Sequence, residues 1–384
     1  MVKKKNWILL NILYSLMRLL PLQNNKITFI NLHSNQFSGN NKVIYDKLSK
    51  ENNEVVMEKI NLKQINHVGM SEFKVLLTTI EIAHKLSTSR WVILNDYYSL
   101  FSIIKLRRKT ELIQVWHGGG AFKKIGKDSI INQTDKKRLK RNSKAHSIYS
   151  KVIVSCEEVV PIYADAFGVS RDNVIPTGLP RADIFFNPNL VQNVRYKLKS
   201  KYQQLKDKKI ILYAPTFRDD DRKRNFLGLD LDIMAKELHS NELLVIKLHP
   251  FERGDFYVKE DLKTKILDLS NEDINDLLTI SDMLITDYSS VIFEYAILKK
   301  PMIFFAYDLE KYEIELRGFY YGYENFVPGP IVRNTEELIR VIRKDLWDYR
   351  EIECFARKFN AQFSGKMATE RVIEDVILGV KRMV

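Results

Sequence analysis

The chain has 384 residues, of which 45% are hydrophobic, 11% aromatic and 28% charged. That length exceeds one ordinary core and suits two domains, and the apolar content excludes a disordered, collagen-like or low-complexity chain. Sixty-one Lys and Arg against 48 Asp and Glu leave a net charge of +13, which implies a polyanionic partner: nucleic acid, anionic lipid or a phosphorylated substrate.

The first element is the apolar stretch Trp7 to Leu22, preceded by Lys3, Lys4 and Lys5 and stopped by Pro21. It is short of the roughly twenty residues that cross a bilayer, and no small-residue cleavage site follows it. Asn11, Ser15 and Arg18 give a helix one narrow polar stripe on a wide apolar body. Two readings stand: a helix docked on the core, or one lying in a membrane interface through Trp7, Leu10, Leu13 and Arg18.

From residue 27 onward, short apolar β-branched runs alternate with helical spacing. ITFIN (27–31), EVVMEKI (54–60), WVILND (91–96), ELIQVW (111–116) and KVIVS (151–155) read as strands buried on both faces. Asn41 to Lys50, Ser71 to Leu86 and Ile131 to Lys144 read as the helices between them. After the Pro-rich turn Pro176 to Pro188 and the charged helix Val191 to Lys206, a second series follows: KIILYAP (209–215), ELLVIKLHP (242–250), TKILDLS (264–270), DMLITD (282–287) and PMIFFAY (301–307). Two such series predict two doubly wound α/β domains with a boundary near residue 188.

Ligands of open α/β sheets bind where strands end and loops lead into helices. The run QVWHGGGAFKKIGK places His117 at a strand end before Gly118, Gly119 and Gly120, which let a backbone approach a phosphate; it fits neither a Walker A loop nor a dinucleotide fingerprint. In YAPTFRDDDRKR, Arg218 suits either a phosphate contact or an ion pair with Asp219, Asp220 or Asp221. VIKLHPFER holds His249 at a strand end fixed by Pro250, as a satisfied core histidine or a functional one. In MLITDYSSVIFEYAILKKP, Asp287, Ser289 and Ser290 precede a helix whose start favours an anion, and Glu294 lies one turn further on, within reach of a ribose. The two cysteines, Cys156 and Cys354, are far apart, so neither a disulfide framework nor a zinc site is expected, and no other metal-ligand cluster is legible.

The sequence resembles the CDP-glycerol glycerophosphotransferases of Gram-positive wall teichoic acid synthesis over almost its whole length. The resemblance is carried by QFSGNNKVIYDKL, VWHGGGAFKKIG, PTGLPRADIFF, ILYAPTFRDD, IKLHP, the long DYSS-containing run and RGFYYGYENFVPGPIV. It implies a glycosyltransferase B architecture, two Rossmann-like doubly wound domains facing a cleft. Residues 1–22 are then a membrane-associating helix, 23–188 an acceptor domain, 189–365 a donor-binding domain and 366–384 a C-terminal helix able to pack back on the first domain.

The resemblance also implies that His117 and His249 are the family's two functional histidines. Gly118, Arg218, Asp287, Ser289, Ser290 and Glu294 are then expected around the CDP-linked donor, with no metal and no cofactor. The loop His-Gly-Gly-Gly-Ala-Phe-Lys-Lys, and the absence of a large extra N-terminal region, are more like the primases that add the first glycerol phosphate than like the long-chain polymerases. A CDP-ribitol-using relative and a poly(glycerol phosphate) polymerase are the alternatives within the family. The expected partners are CDP-glycerol, an undecaprenyl-diphosphate-linked disaccharide and an anionic membrane surface on the cytoplasmic side. KLRRK (105–109) and KKRLKRNSK (136–144) add basic runs for such a surface, and no nucleic-acid module is recognisable. A sugar-nucleotide glycosyltransferase and a non-enzymatic membrane adaptor are the rival classes.

Overall fold

The structure is a computed structural model that describes residues 4–31, 38–52, 54–61, 71–129, 135–216, 218, 228–248, 256–313, 318–360 and 365–379. The chain forms two compact units. One comprises residues 1–121, 125–183 and 361–384, the other 122–124 and 184–360.

In chain order the first unit contains α1 (Lys4–Met17), β1 (Gln23–Asn31), α2 (Gly39–Glu51), β2 (Val56–Asn61), α3 (Glu72–Thr88), β3 (Ser89–Leu94), β4 (Glu111–Gln114), α4 (Lys136–His146), β5 (Lys151–Ile153), α5 (Val160–Phe167) and β6 (Val174–Ile175). The strands make one parallel sheet of order β2-β1-β3-β4-β5-β6. Helices cover its faces, so strands such as SRWVIL are buried on both sides, which is why they read as continuous apolar runs and not as alternations. The chain winds outward from β1 to β2 and then back across to β3. The carboxyl ends of β1 and β3 therefore flank the point where the winding reverses.

The second unit contains α6 (Pro188–Lys201), β7 (Lys209–Tyr213), α7 (Leu231–Glu237), β8 (Glu242–Ile246), β9 (Ile266–Asp268), α8 (Ile274–Ile280), β10 (Met283–Thr286), α9 (Val291–Ile297), β11 (Met302–Phe305), β12 (Ile331–Val332), α10 (Thr335–Lys344) and α11 (Tyr349–Phe359). Its strands are again all parallel, in the order β12-β11-β10-β7-β8-β9. This is the dinucleotide-fold winding, with its reversal between β7 and β10. One face of the sheet buries Ile211, Leu244, Ile246, Ile285 and Phe305 against Leu338 and Ile342 of α10. Elsewhere Phe293 of α9 stacks on Phe355 at 5.3 Å and meets Phe359 at 5.3 Å, both from α11. Removing one such ring from a closed core costs about 3–5 kcal/mol.

Each predicted strand is present, and several end earlier than their apolar runs. ELIQVW stops at Gln114 because Trp116 takes a positive φ of 49°, a turn that β-strand pairing cannot accommodate. The two-residue strands β6 and β12 are too short to leave a pattern in the sequence. The predicted helix Ile131 to Lys144 begins at Lys136, where Asp135 caps it by accepting from Arg138 N at 2.9 Å, and residues 131–134 lie outside the described ones. The helical segment from Ala368 packs within the first unit: the Asp183 carboxylate accepts from Ala368 N and Thr369 N, each at 2.9 Å.

Helix α1 packs against α3 and carries two unlike sides. Leu10, expected to face lipid, is instead 1% exposed and belongs to the core with Tyr14, whose hydroxyl accepts from Arg107 N at 3.2 Å. At 100° per residue, Ile8, Ile12 and Leu16 fall on the other side and are exposed, and Leu19, in the turn just past the helix, is 90% exposed. Trp7 and Leu13 lie between the two sides and are partly buried, and Arg18 is exposed. Phe73 and Leu77 of α3 are exposed as well. Among the described residues no helix is long and apolar enough to cross a membrane.

Candidate active site

In the first unit the strand-end loops converge on His117. Its ring is half exposed and stacks on Trp116, with centroids 4.5 Å apart. Nδ1 lies 3.0 Å from the Asn95 carbonyl oxygen and 3.1 Å from Asp96 Oδ1, both just beyond the end of β3. The Trp116 backbone is strained at its positive φ, and three hydrogen bonds with buried side-chain amides hold the turn. Asn40 Nδ2 donates to Val115 O at 2.8 Å and to Trp116 O at 2.9 Å, while Gln114 Oε1 accepts from Trp116 N at 2.9 Å. Gln114 also donates from Nε2 to Asp96 O at 2.8 Å, tying the segment that carries Asp96 to the segment that carries His117. Asn40 stands at the start of α2 after β1 and Asp96 beyond β3, the two ends that flank the reversal in this sheet.

The glycines beside His117 serve different purposes. Gly120 has a φ of 58°, its amide donates to Ser155 Oγ at 3.1 Å and its carbonyl accepts from Tyr163 OH at 2.9 Å, so this peptide is occupied within the protein. Gly126 also has positive φ, and a Cβ there would come within 2.3 Å of Ala166 O, so no other residue fits. Gly118 is partly exposed beside the histidine. The next segment, residues 122–124, belongs to the second unit, where Lys123 pairs with Phe319 and Phe122 stacks on Phe319 at 5.0 Å.

In the second unit Arg218, beyond β7, and Asp287, beyond β10, flank the reversal between those strands. Arg218 is 4% exposed. It meets Asp308 through Nε–Oδ2 and Nη2–Oδ1, both 2.9 Å, and Asp287 through Nη1–Oδ2 at 2.5 Å. Tyr288, Tyr307 and Tyr312 place their rings 5.2, 5.1 and 5.8 Å from its guanidinium carbon. Burial opposes the charge of Arg218, but Asp287 and then Asp308 outweigh it and hold its pKa above the ordinary value. Asp308 is likewise disfavoured by burial, and the bond from Arg218 keeps its carboxyl below the usual range. Tyr288 donates to Asp308 Oδ1 at 2.8 Å; burial, and next the Asp308 charge, push its phenol up. Tyr323 OH donates to Asp287 O at 3.1 Å.

This cluster changes the part expected of Arg218. Of the two readings open from sequence, an ion pair is what forms, but with Asp287 and Asp308 instead of the neighbouring aspartates, and those at 219–221 lie outside the described residues. Among the described residues this one cation faces two carboxylates, so the cluster fixes the loops. Ser289 and Ser290, both partly exposed, follow directly, while Glu294, expected within reach of a ribose, is instead 1% exposed inside α9, which is only seven residues long. His249 lies outside the described residues. Sequence reasoning missed Asp96, Asn40, Gln114 and Asp308. Asp96 and Asp308 each follow an apolar strand by a few residues, the same signal that marked Asp287. Among the described residues no group of three His, Cys, Asp or Glu could hold a metal ion.

A family model described as CDP-Glycerol:Poly(glycerophosphate) glycerophosphotransferase matches residues 12–378. The chain is 37% identical over 98% of its length to the teichoic acid poly(ribitol-phosphate) polymerase of Bacillus spizizenii, and it spans 60% of that protein. It is 35% identical over 93% of its length to the teichoic acid ribitol-phosphate primase of the same species, 92% of which it covers. A solved structure of a histidine-to-alanine variant of the wall teichoic acid polymerase TagF is similar with a TM-score of 0.82 at 27% identity, over 98% of this chain and 97% of that one. The two parallel sheets, the strand-end residues and these matches agree: the chain belongs to the CDP-glycerol:poly(glycerophosphate) glycerophosphotransferase family, alongside the primases and polymerases of teichoic acid synthesis.

Proposed function

We propose that the protein transfers glycerol phosphate from CDP-glycerol to a hydroxyl of a lipid-linked acceptor in teichoic acid synthesis, releasing CMP. The observation that carries this reading, beyond family membership, is the half-exposed His117 ring held at a sheet's carboxyl edge. The acceptor oxygen attacks the glycerol-bearing phosphorus of the donor pyrophosphate. The bond from that phosphorus to the bridging oxygen breaks, and its electron pair leaves with CMP. His117 takes the hydroxyl proton as the new phosphorus–oxygen bond forms.

Ser289 and Ser290 donate to the pyrophosphate oxygens, Gly118 gives the phosphate close access to the backbone, and His249 stabilises charge on the leaving side. Arg218 and Asp287 shape the strand end on which the serines stand, and Glu294, buried inside α9, supports that helix from within and does not reach a ribose.

CDP-ribitol is a second reading, favoured by the two relatives named for ribitol phosphate. The acceptor we propose is an undecaprenyl-diphosphate-linked disaccharide, met at the cytoplasmic membrane surface by the apolar side of α1, with the exposed lysines and arginines of α4 contributing charge.

The test is incubation with CDP-glycerol, CDP-ribitol and UDP-sugars in turn, with a lipid-linked disaccharide as acceptor and mass spectrometry of the product. A gain of one glycerol phosphate with CMP release supports the first reading and a gain of ribitol phosphate the second. Transfer from a UDP-sugar alone overturns both. His117→Ala should lower turnover by about two to four orders of magnitude.

A further inference from the structure

We propose that Asp96 is a positioning residue for His117, fixing the imidazole in the tautomer whose Nε2 carries the lone pair and holding the imidazolium once that atom is protonated. This deepens the reading of His117 as the base and rests on it.

The argument is one of donors and acceptors. His117 Nδ1 faces two oxygens at hydrogen-bond distance, the Asn95 carbonyl at 3.0 Å and Asp96 Oδ1 at 3.1 Å. A carbonyl oxygen and an ionised carboxylate only accept. Nδ1 must therefore carry the hydrogen, and in the neutral ring the lone pair is left on Nε2. When Nε2 takes a proton the ring becomes a cation, and the Asp96 carboxylate, already in place, stabilises it without rearrangement.

The surroundings hold the pair in register. Gln114 is fully buried and bridges the two segments, donating to Asp96 O and accepting from Trp116 N. Asn40, equally buried, grips the carbonyls of Val115 and Trp116. Tyr98 OH donates to Asn95 Oδ1 at 3.0 Å and steadies the residue between strand and carboxylate. Trp116 stacks on the imidazole and fixes its plane. Rigid support of this kind separates a positioned pair from a passing surface contact.

Nitrogen-15 NMR of the resting, full-length protein reads the tautomer directly, without donor or acceptor. The His117 signals, assigned by their loss in His117→Ala, should show a protonated Nδ1 and an unprotonated Nε2 in the neutral ring. In Asp96→Asn the side-chain amide can donate to Nδ1, so the Nε2-protonated form should become populated. Turnover of Asp96→Asn should fall by at least about tenfold with the KM for the donor unchanged, short of the 10²–10⁴ lost with the base itself. Asp96→Glu should recover part of that loss, and Asp96→Asn should cost nothing further in a His117→Ala background.

A wild-type spectrum with the proton on Nε2 overturns the proposal. So does Asp96→Asn with unaltered kcat, or with reduced kcat and an unaltered tautomer. If His117→Ala keeps wild-type turnover, the reading of His117 as the base fails instead, while the tautomer result stands on its own.

Discussion

Arg218 and Asp308 meet through a two-pronged contact, Nε to Oδ2 and Nη2 to Oδ1 at 2.9 Å each, although they follow different strands, β7 and β11. Asp287, after β10, closes the same guanidinium from another side. Three strand-end loops are thus knotted at one buried cation.

Arg218→Ala should destabilise the protein by about 3–5 kcal/mol, because it leaves two carboxylates facing each other without their cation. Urea unfolding measures this as a lower midpoint. Adding Asp308→Asn should return part of the loss by removing one of the stranded charges. An unchanged midpoint together with weaker CDP-glycerol binding would instead place the arginine against the donor.

Acid should destabilise the fold through His146. This ring stacks on Phe167 at 4.6 Å with Nδ1 3.1 Å from Tyr149 OH, and burial lowers its pKa from 6.5 to about 4. Below pH 6.5 the unfolded chain takes up a proton that the folded one refuses. Stability therefore falls as pH drops from about 6.5 to about 4, levels off for this group below that, and is unaffected by it above. The gap corresponds to about 3 kcal/mol. His146→Phe keeps the stack and should flatten the change in urea midpoint between pH 7 and pH 4.5. Asp308 acts in a lower window: its folded pKa lies below 3.8, so its contribution is lost only as the pH falls through that depressed value.

The two sides of α1 should respond oppositely to a charge. Leu10→Asp buries a carboxylate in the core and should abolish folding at ordinary temperature, as read by circular dichroism. Ile12→Asp or Leu16→Asp should leave the melting temperature within a few degrees and reduce flotation with anionic liposomes. Flotation of the unaltered protein should weaken with salt, since exposed charges are screened over roughly 10 Å at 0.1 M. Equal flotation of all variants would remove α1 from any membrane contact.

Asn40→Ala should unpin the turn before His117. It strands the carbonyls of Val115 and Trp116, at about 1–3 kcal/mol for each buried group left unmade. With the turn free to relax, kcat should fall by more than donor affinity, since Ser289 and Ser290, the proposed donors to the pyrophosphate, stand in the second unit. Calorimetric titration with CDP-glycerol beside turnover assays separates the two effects.

Much of this could be read from the chain, for identifiable reasons. Parallel strands covered on both faces leave unbroken runs such as ELLVI, so both sheets were legible, whereas Val174–Ile175 and Ile331–Val332 leave no pattern. His117 and Asp287 announce themselves by polarity at a strand end. Partnership does not: nothing in the spacing says that Arg218 turns to Asp308, 90 residues away, instead of to the aspartates beside it. Asn40 was similarly hidden, because an asparagine near a helix start reads as a cap, and only the fold shows its amide reaching Val115, 75 residues on.

The return of residues 361–384 to the first unit has a consequence for biosynthesis. That segment leaves the ribosome after residues 184–360, so the later unit holds its full complement of sequence while the earlier one still waits for the strip that docks on Asp183 and Lys151. At roughly 5–20 residues per second the delay amounts to tens of seconds at the slow end of that range. During it, the surface around Asp183 and Lys151 that this strip will cover stands open to proteases and chaperones.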